Sequence, residues 1–337
     1  MITDTDRRSF LKGAAVVAAS SLMAADLQGA EKRATGSPAN AVFAVAGAQA
    51  TPNAGPNPDP GKPKLVVAPA KATDCHAHII GPAEKYPYVA GRSYTPVEAH
   101  REQYVRMLAA LGLERAVIVQ PSFYGTDNSR TLDAIAESRG EWRGVAGLDA
   151  GTARSEVQRL HEAGFRGARV NLSFKGGPTL EDLDKVARLV APFGWHMQIQ
   201  VEGRDLAELA PRFRQLPGQF VIDHMGRVPP ELGVEYAGFQ SLLGLLRQGN
   251  CWVKLASAYA LSRKPYPHED IVPFAKALIE AGPNRTVWGS NWPHPSYKGT
   301  PPVDATQLDL LALWAPEAAA RKRILVENPA KLYGFPD

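Results

Sequence analysis

The sequence predicts an α/β fold, a (β/α)8 TIM barrel preceded by a disordered N-terminal extension. Three observations carry that prediction. From residue 71 onward, short β-rich runs alternate regularly with helical ones. Eight such units fill a length typical of one such barrel. No glycine-rich phosphate loop follows the first strand, which speaks against an open doubly wound sheet.

The strands are expected at 72–80 (ATDCHAHII), 115–120 (RAVIVQ), 142–148, 166–174, 195–201, 219–225, 251–257 and 285–290. Between them, apolar residues three and four apart predict helices over 97–112, 155–164, 180–194, 269–282 and 304–315. The chain ahead of the barrel reads differently. Arg7 and Arg8 precede Ser9, Phe10, Leu11 and Lys12, then a mildly apolar stretch runs from Gly13 to Ala25. That pattern predicts a twin-arginine export signal over 1–30, a periplasmic destination and the export machinery as partner, with the cytoplasm as the second choice. The apolar stretch is too short to span about 30 Å of hydrocarbon, so no membrane span is expected. Residues 31–70, rich in Pro, Ala and Gly, read as an extended linker, and 71–337 as the catalytic domain.

Composition narrows the partners. Apolar residues make up 45% and charged residues 21% of the 337, which describes a globular chain with a full core. The net charge of +4 includes seven basic against five acidic side chains in residues 1–70. No Lys/Arg-rich run exists, so nucleic acid is not an expected partner. Two cysteines exclude a disulfide framework; Cys75 and Cys251 sit in apolar runs and are expected as buried free thiols.

Polar residues gather where barrel strands end, the place where such barrels do chemistry. The first strand ends Asp74-Cys75-His76-Ala77-His78, the sixth Asp223-His224-Met225-Gly226-Arg227, and the eighth Gly289-Ser290-Asn291-Trp292-Pro293-His294. Histidines two apart on a strand reach one side together. Lys254, on the seventh strand, is expected as an interior charge paired with an acid. Asp223 and Asp74 are expected to orient imidazoles.

The motifs DCHAHIIGP, YPYVAGRSYTP, VQPSFYGTDN, RGARVNLSF, DHMGR, WVKLAS, WGSNWPHP and ILVENPAKLYGF, in this order from about Ala72 to Phe335, resemble the amidohydrolase-related family. They are most similar to its branch of pyrone-dicarboxylate lactonase, sulfomuconolactone hydrolase and galactarolactone isomerase. The resemblance implies that His76, His78 and His224 surround and polarise a lactone carbonyl. It implies that Arg227 steadies a substrate carboxylate or the group under attack, and that Tyr94, Ser122, Arg169 and Lys175 hold the rest of the substrate. Gln200 and Ala260 replace a tyrosine and an arginine of the lactonase, which favours a lactone with fewer carboxylates and more hydroxyls. Within the branch both metal-free and zinc enzymes occur. No cofactor is favoured here; if zinc is present, the resemblance makes His76, His78 and His224 its ligands.

Asn291 departs most from the family pattern, which has an aspartate base at this position. An amide cannot take a proton from water. Hydrolysis of a small carboxylate-bearing lactone remains the first expectation, with Glu202, Asp127, Asp149 or His294 as substitute bases. The alternative is lactone isomerisation, in which a substrate hydroxyl attacks in place of water. A third reading is a barrel that binds organic acids without turnover. The sequence leaves the oligomeric state and the identity of the lactone open.

Overall fold

The computed structural model describes residues 53–336; the twin-arginine segment and the linker up to residue 52 lie outside them. Eight parallel strands form one sheet in chain order: β1 (Thr73–Ala77), β2 (Arg115–Val119), β3 (Trp142–Gly147), β4 (Phe165–Asn171), β5 (His196–Gln200), β6 (Phe220–Ile222), β7 (Cys251–Leu255) and β8 (Thr286–Trp288). Nearly every strand residue is buried, as a parallel sheet covered on both faces requires.

The barrel closes through the loop after β8. Ala77 bridges Trp292, the His78 N–H donates to the Trp292 carbonyl at 2.8 Å, and the Asn291 N–H donates to the His76 carbonyl at 2.8 Å. Gly289 permits this approach, since a Cβ there would lie 2.6 Å from the His76 Cβ. Asp74 fastens the same seam. Its carboxylate accepts from the N–H groups of His76 (3.0 Å) and Ser290 (2.9 Å), from the Ser290 hydroxyl and from Tyr104 Oη. Asp74 therefore staples backbone and does not orient an imidazole, contrary to the expectation above.

Helices at Arg101–Leu111, Arg154–Glu162, Leu183–Val190 and Val272–Ala281, with Asp304–Asp309 and Leu311–Trp314, follow the predicted ranges in shortened form. The first buries Tyr104, Met107, Leu108 and Leu111 and ends at Gly112, whose φ of 72° a glycine adopts at no cost. Residues 97–100 fall outside it because Ala99 pairs with Ile80 instead. Helices at Ser129–Ala136, Leu206–Phe213, Ala237–Gln248, Ala318–Lys322 and Asn328–Tyr333 escaped the sequence reading. Pro211, Gly238 and Gly244 weaken their local signal, and burial of Phe213, Leu242 and Leu246 against the barrel overrides it.

Inside the barrel, Cys75, Val117, Val119, Val145, Val221, Trp252 and Val287 pack on Tyr333 and Phe335 of the C-terminal segment. Arg115 and Arg143, near the strand starts, donate to the carbonyls of Pro336 and Gly334, so this segment seals the bottom. The strand ends stay open to carry the site. Cys75 and Cys251 are buried free thiols.

Residues 54–70 form no helix or strand, consistent with their prolines, yet they are docked and not a free tether. The N–H groups of Lys64, Leu65 and Val66 all donate to the Asp309 carboxylate, and the Ala54 N–H donates to the Tyr297 carbonyl at 2.6 Å. A single buried acid satisfying three backbone donors outweighs the local preference for solvent. Among the described residues no helix is long and apolar enough to cross a membrane.

Candidate active site

An irregularity in β1 aims the histidines. Thr73 and Asp74 pair with Arg115 and Ala116, but Ala77 pairs with Ile118, so the strand gains a residue between them. The pleat shifts there, and Cys75 and His76 both join the barrel interior. The His76 ring lies 5.0 Å from that of His78 and 4.6 Å from that of His224. Left-handed φ angles cluster in the loops beyond β6, β7 and β8: His224 (50°), Arg227 (49°), Ser257 (63°), Asn291 (61°) and His294 (62°). Non-glycine residues adopt this region at a cost, and such clusters mark functional sites.

The three imidazoles are not equivalent. His78 Nδ1 lies 2.7 Å from the Val119 carbonyl, which can only accept, so Nδ1 carries a proton. Burial, with the Arg169 cation adding to it, presses the His78 pKa down to about 3. His78 is thus neutral and offers a lone pair at Nε2. It accepts a proton or a hydrogen bond; it does not donate one to a carbonyl oxygen. His224 Nδ1 sits 3.0 Å from Ser257 Oγ, and burial lowers its pKa to about 3 against the opposing pull of Asp223. His76 is fully buried behind the cavity wall, with Nε2 unpartnered. Burial, reinforced by Lys254, keeps it neutral.

A buried charge layer supports them. Asp223 Oδ2 accepts from Arg169 Nε (3.2 Å) and Gln198 Nε2 (3.0 Å), while Oδ1 faces His76 Nδ1 (3.4 Å) and Lys254 Nζ (3.8 Å). Burial opposes its charge, but the Lys254 and Arg169 cations, with the neutral His76 imidazole beside them, outweigh burial and hold the carboxyl well below its ordinary range. Lys254 Nζ donates to Gln198 Oε1 at 2.7 Å, and burial lowers its pKa to about 8. Lys254 is thus the interior charge expected from the sequence. Asp223 approaches the His76 ring, whose Nδ1 also lies 3.4 Å from Lys254 Nζ, and makes no hydrogen bond to its neighbour His224.

A cavity of about 210 Å³ opens at the strand ends. Of the predicted residues, His78, Tyr94, Arg169, Gln200, His224, Arg227 and Asn291 line it. Two others do not. Lys175 is exposed and borders an adjoining groove of about 600 Å³, separated by Asn171 and Phe174. Ser122 faces a small side recess behind Arg169. The turn after β4 carries Lys175 away from the histidines, and a single helical turn after β2, Ser122–Tyr124, holds Ser122 in the recess. Arg169 Nη2 donates to Gln200 Oε1 at 2.6 Å, so the two act as one unit.

Among the described residues, the lining holds three cations, Arg169, Arg227 and Lys298, and no carboxylate. The acids weighed as substitute bases lie outside the lining, each with a partner of its own. Glu202 pairs with Arg227 at 2.8 Å, Asp127 accepts from the Ser129 N–H, and Asp149 accepts from the Gly151 N–H. His294 is fully buried and reaches the cavity only through Tyr259, whose hydroxyl lies 2.8 Å from its Nδ1. Tyr259, Ser257 and Lys298 escaped the sequence reading. Their only signal is position, in the loops after β7 and β8.

A divalent metal fits this donor set poorly. The ligand atoms that come within 4.8 Å of one another belong to His76, Asp223 and His224, not to the three histidines together. Asp223 already faces two buried cations, and residue 291 supplies an amide where a carboxylate would offset the metal charge.

Fold and site together define a (β/α)8 enzyme with histidines on the first and sixth strand ends and a closing motif after the eighth. The Amidohydrolase family model matches residues 73–335, and the chain belongs to that family. It is 35% identical over 277 residues to a 4-sulfomuconolactone hydrolase of Hydrogenophaga intermedia, covering 81% of this chain and 91% of the relative. A D-galactarolactone isomerase of Agrobacterium fabrum is 34% identical over 269 residues, covering 79% and 91%. Among solved structures, the "probable 2-pyrone-4,6-dicarboxylic acid hydrolase" of Acinetobacter baumannii, with citric acid bound, superposes with a TM-score of 0.69. It is 28% identical over 79% of this chain and all of that one.

Proposed function

We propose that this protein acts on the ester bond of a small carboxylate-bearing lactone, with hydrolysis as its primary outcome. The observation that carries the reading is the cavity wall, where Arg169, Arg227 and Lys298 face inward while the acids that pair with the two arginines, Asp223 and Glu202, lie outside the lining; such a wall favours an anion. Its volume of about 210 Å³ suits a single small ring. Relatives named for lactone hydrolysis and lactone isomerisation support the chemical class at nearly equal identity.

The residues divide the work. Arg227 and Lys298 stand where a carboxylate enters, and Tyr94 closes the site against Phe123 and Phe174. His224 donates to the lactone carbonyl oxygen when Ser257 Oγ donates to its Nδ1, and so stabilises the tetrahedral oxyanion. Removal of one such donor typically lowers kcat by about 100- to 1,000-fold. His78, with its lone pair at Nε2, accepts from a neighbouring hydroxyl of the substrate ring and so orients it. His76 buttresses both rings from behind. This replaces the expectation of three equivalent carbonyl-polarising histidines.

Asn291 favours a second reading, isomerisation. With an amide at this position, a substrate hydroxyl held against the carbonyl competes well with water, because well-oriented intramolecular attack reaches effective molarities on the order of 10⁵ M or more. Incubation with a panel of lactones in ¹⁸O-water tests both. Label in an acyclic acid supports hydrolysis, and a new unlabelled ring supports isomerisation. Tight acid binding without turnover, unchanged in His224→Ala, refutes both.

A further inference from the structure

We infer that Tyr259 is the proton-transfer residue of this site and that His294 and Asp304 form a buried relay behind it; the inference rests on the lactone reading above. Tyr259 lines the cavity beside Asn291. Asn291 Nδ2 donates to the Tyr259 hydroxyl at 2.9 Å, so the oxygen accepts on that side. The phenol proton then goes to His294 Nδ1, 2.8 Å away, which must accept it. His294 Nε2 consequently carries the imidazole proton and donates to Asp304 Oδ1 at 3.1 Å.

The direction of every hydrogen bond follows from the amide at one end and the carboxylate at the other. Hydroxyl, imidazole and acid stand in the same order as in the activated nucleophiles of acyl transfer, with a phenol in place of the serine. His294 and Asp304 are fully buried, and Asp304 Oδ2 has no hydrogen-bond partner. The acid's charge is thus spent on the imidazole alone. Burial raises the Tyr259 pKa above its ordinary value, so the phenol keeps its proton at neutral pH. It cannot act as a free phenolate; it can pass a proton on.

The step balances without any further reactant. The attacking hydroxyl, of water or of the substrate, forms its C–O bond to the lactone carbonyl carbon. Its proton moves to Tyr259 Oη as the phenol proton moves to His294 Nδ1, and Asp304 stabilises the resulting imidazolium. When the ring C–O bond breaks, the Nδ1 proton returns to Tyr259 and the phenol proton passes to the leaving alkoxide. The amide at 291 then has a purpose: it fixes the phenol's orientation toward His294.

The test uses the full-length enzyme with Tyr259→Phe and His294→Gln variants, on a lactone the wild type turns over. Both variants are expected to lose kcat by on the order of 100-fold or more, with KM little changed. Rates in H2O/D2O mixtures should curve for the wild type, with more than one proton in flight, and become linear in Tyr259→Phe. Neither a bent proton inventory nor a selective kcat loss follows from a merely structural tie between loops. A kcat retained within a few-fold in Tyr259→Phe overturns the relay and leaves the lactone reading intact. A wild type that turns over no lactone defeats the lactone reading instead. In that case ¹⁵N NMR of His294 still decides the relay: a proton on Nε2 supports it, and a proton on Nδ1 overturns it.

Discussion

Arg169 Nε lies 3.2 Å from Asp223 Oδ2, and both side chains are withdrawn from water, at 5% and 0% exposure. Lys254 shares the same carboxylate. One buried anion therefore holds two buried cations under the site. Asp223→Asn would leave both without a counter-charge. The expected cost is about 3 to 5 kcal/mol of unfolding free energy in urea titration, with loss of activity. Lys254→Met removes one excess cation and should cost clearly less; equal losses for the two variants would contradict this account of the charge layer.

Asn291→Asp restores a carboxylate at the cavity wall. Where the amide now donates to Tyr259, the carboxylate draws the phenol proton away from His294. It itself takes the proton of an attacking water in place of the relay, so hydrolysis of an accepted lactone should rise by at least about tenfold. The ratio of acyclic acid to rearranged ring, read by NMR, reports the change. An unaltered ratio with an unaltered rate would show that the missing base is not what shapes the outcome.

His196 supplies a clean pH probe away from the cavity. Burial, with Lys254 adding to it, presses its pKa from the ordinary 6.5 down to about 3, and neither ring nitrogen has a side-chain partner. Below pH 6.5 the unfolded chain takes up a proton that the folded chain refuses. Stability from this group is present above pH 6.5 and is lost as pH falls toward 3, at about 1 kcal/mol per pH unit. His196→Leu should flatten urea-derived stability across that window; an unchanged slope would show that His196 titrates normally.

Export is a proposal that rests on the sequence at Arg7 and Arg8. Lysine at both positions should leave the protein in the cytoplasm, and fractionation with immunoblotting reads this directly. Equal periplasmic recovery of the double variant would remove the twin-arginine assignment.

The barrel was legible because strand and helix periodicities differ and eight units recur; the family motifs sharpened it. Much of the site was legible too, since chemistry gathers at strand ends and His78, His224, Arg169, Arg227 and Asn291 sit there. What stayed hidden depends on direction and tautomer. Spacing places His76 and His78 together but cannot show that Val119 fixes one imidazole as an acceptor. The resemblance makes Lys175 a carboxylate binder, whereas the turn after β4 sends it into the neighbouring groove. The Tyr259–His294–Asp304 chain joins the short helix Ala258–Leu261, the loop after β8 and the helix Asp304–Asp309, and no local pattern in the sequence connects them.

The central claim is that a cationic cavity selects a lactone by its carboxylate. The most direct measurement compares kcat/KM for one accepted lactone and for its methyl ester, in which only the charge is masked. The account predicts at least a hundredfold preference for the free acid, equivalent to about 3 kcal/mol of charge-assisted binding. Equal turnover of the two, or a preference for the ester, would contradict it.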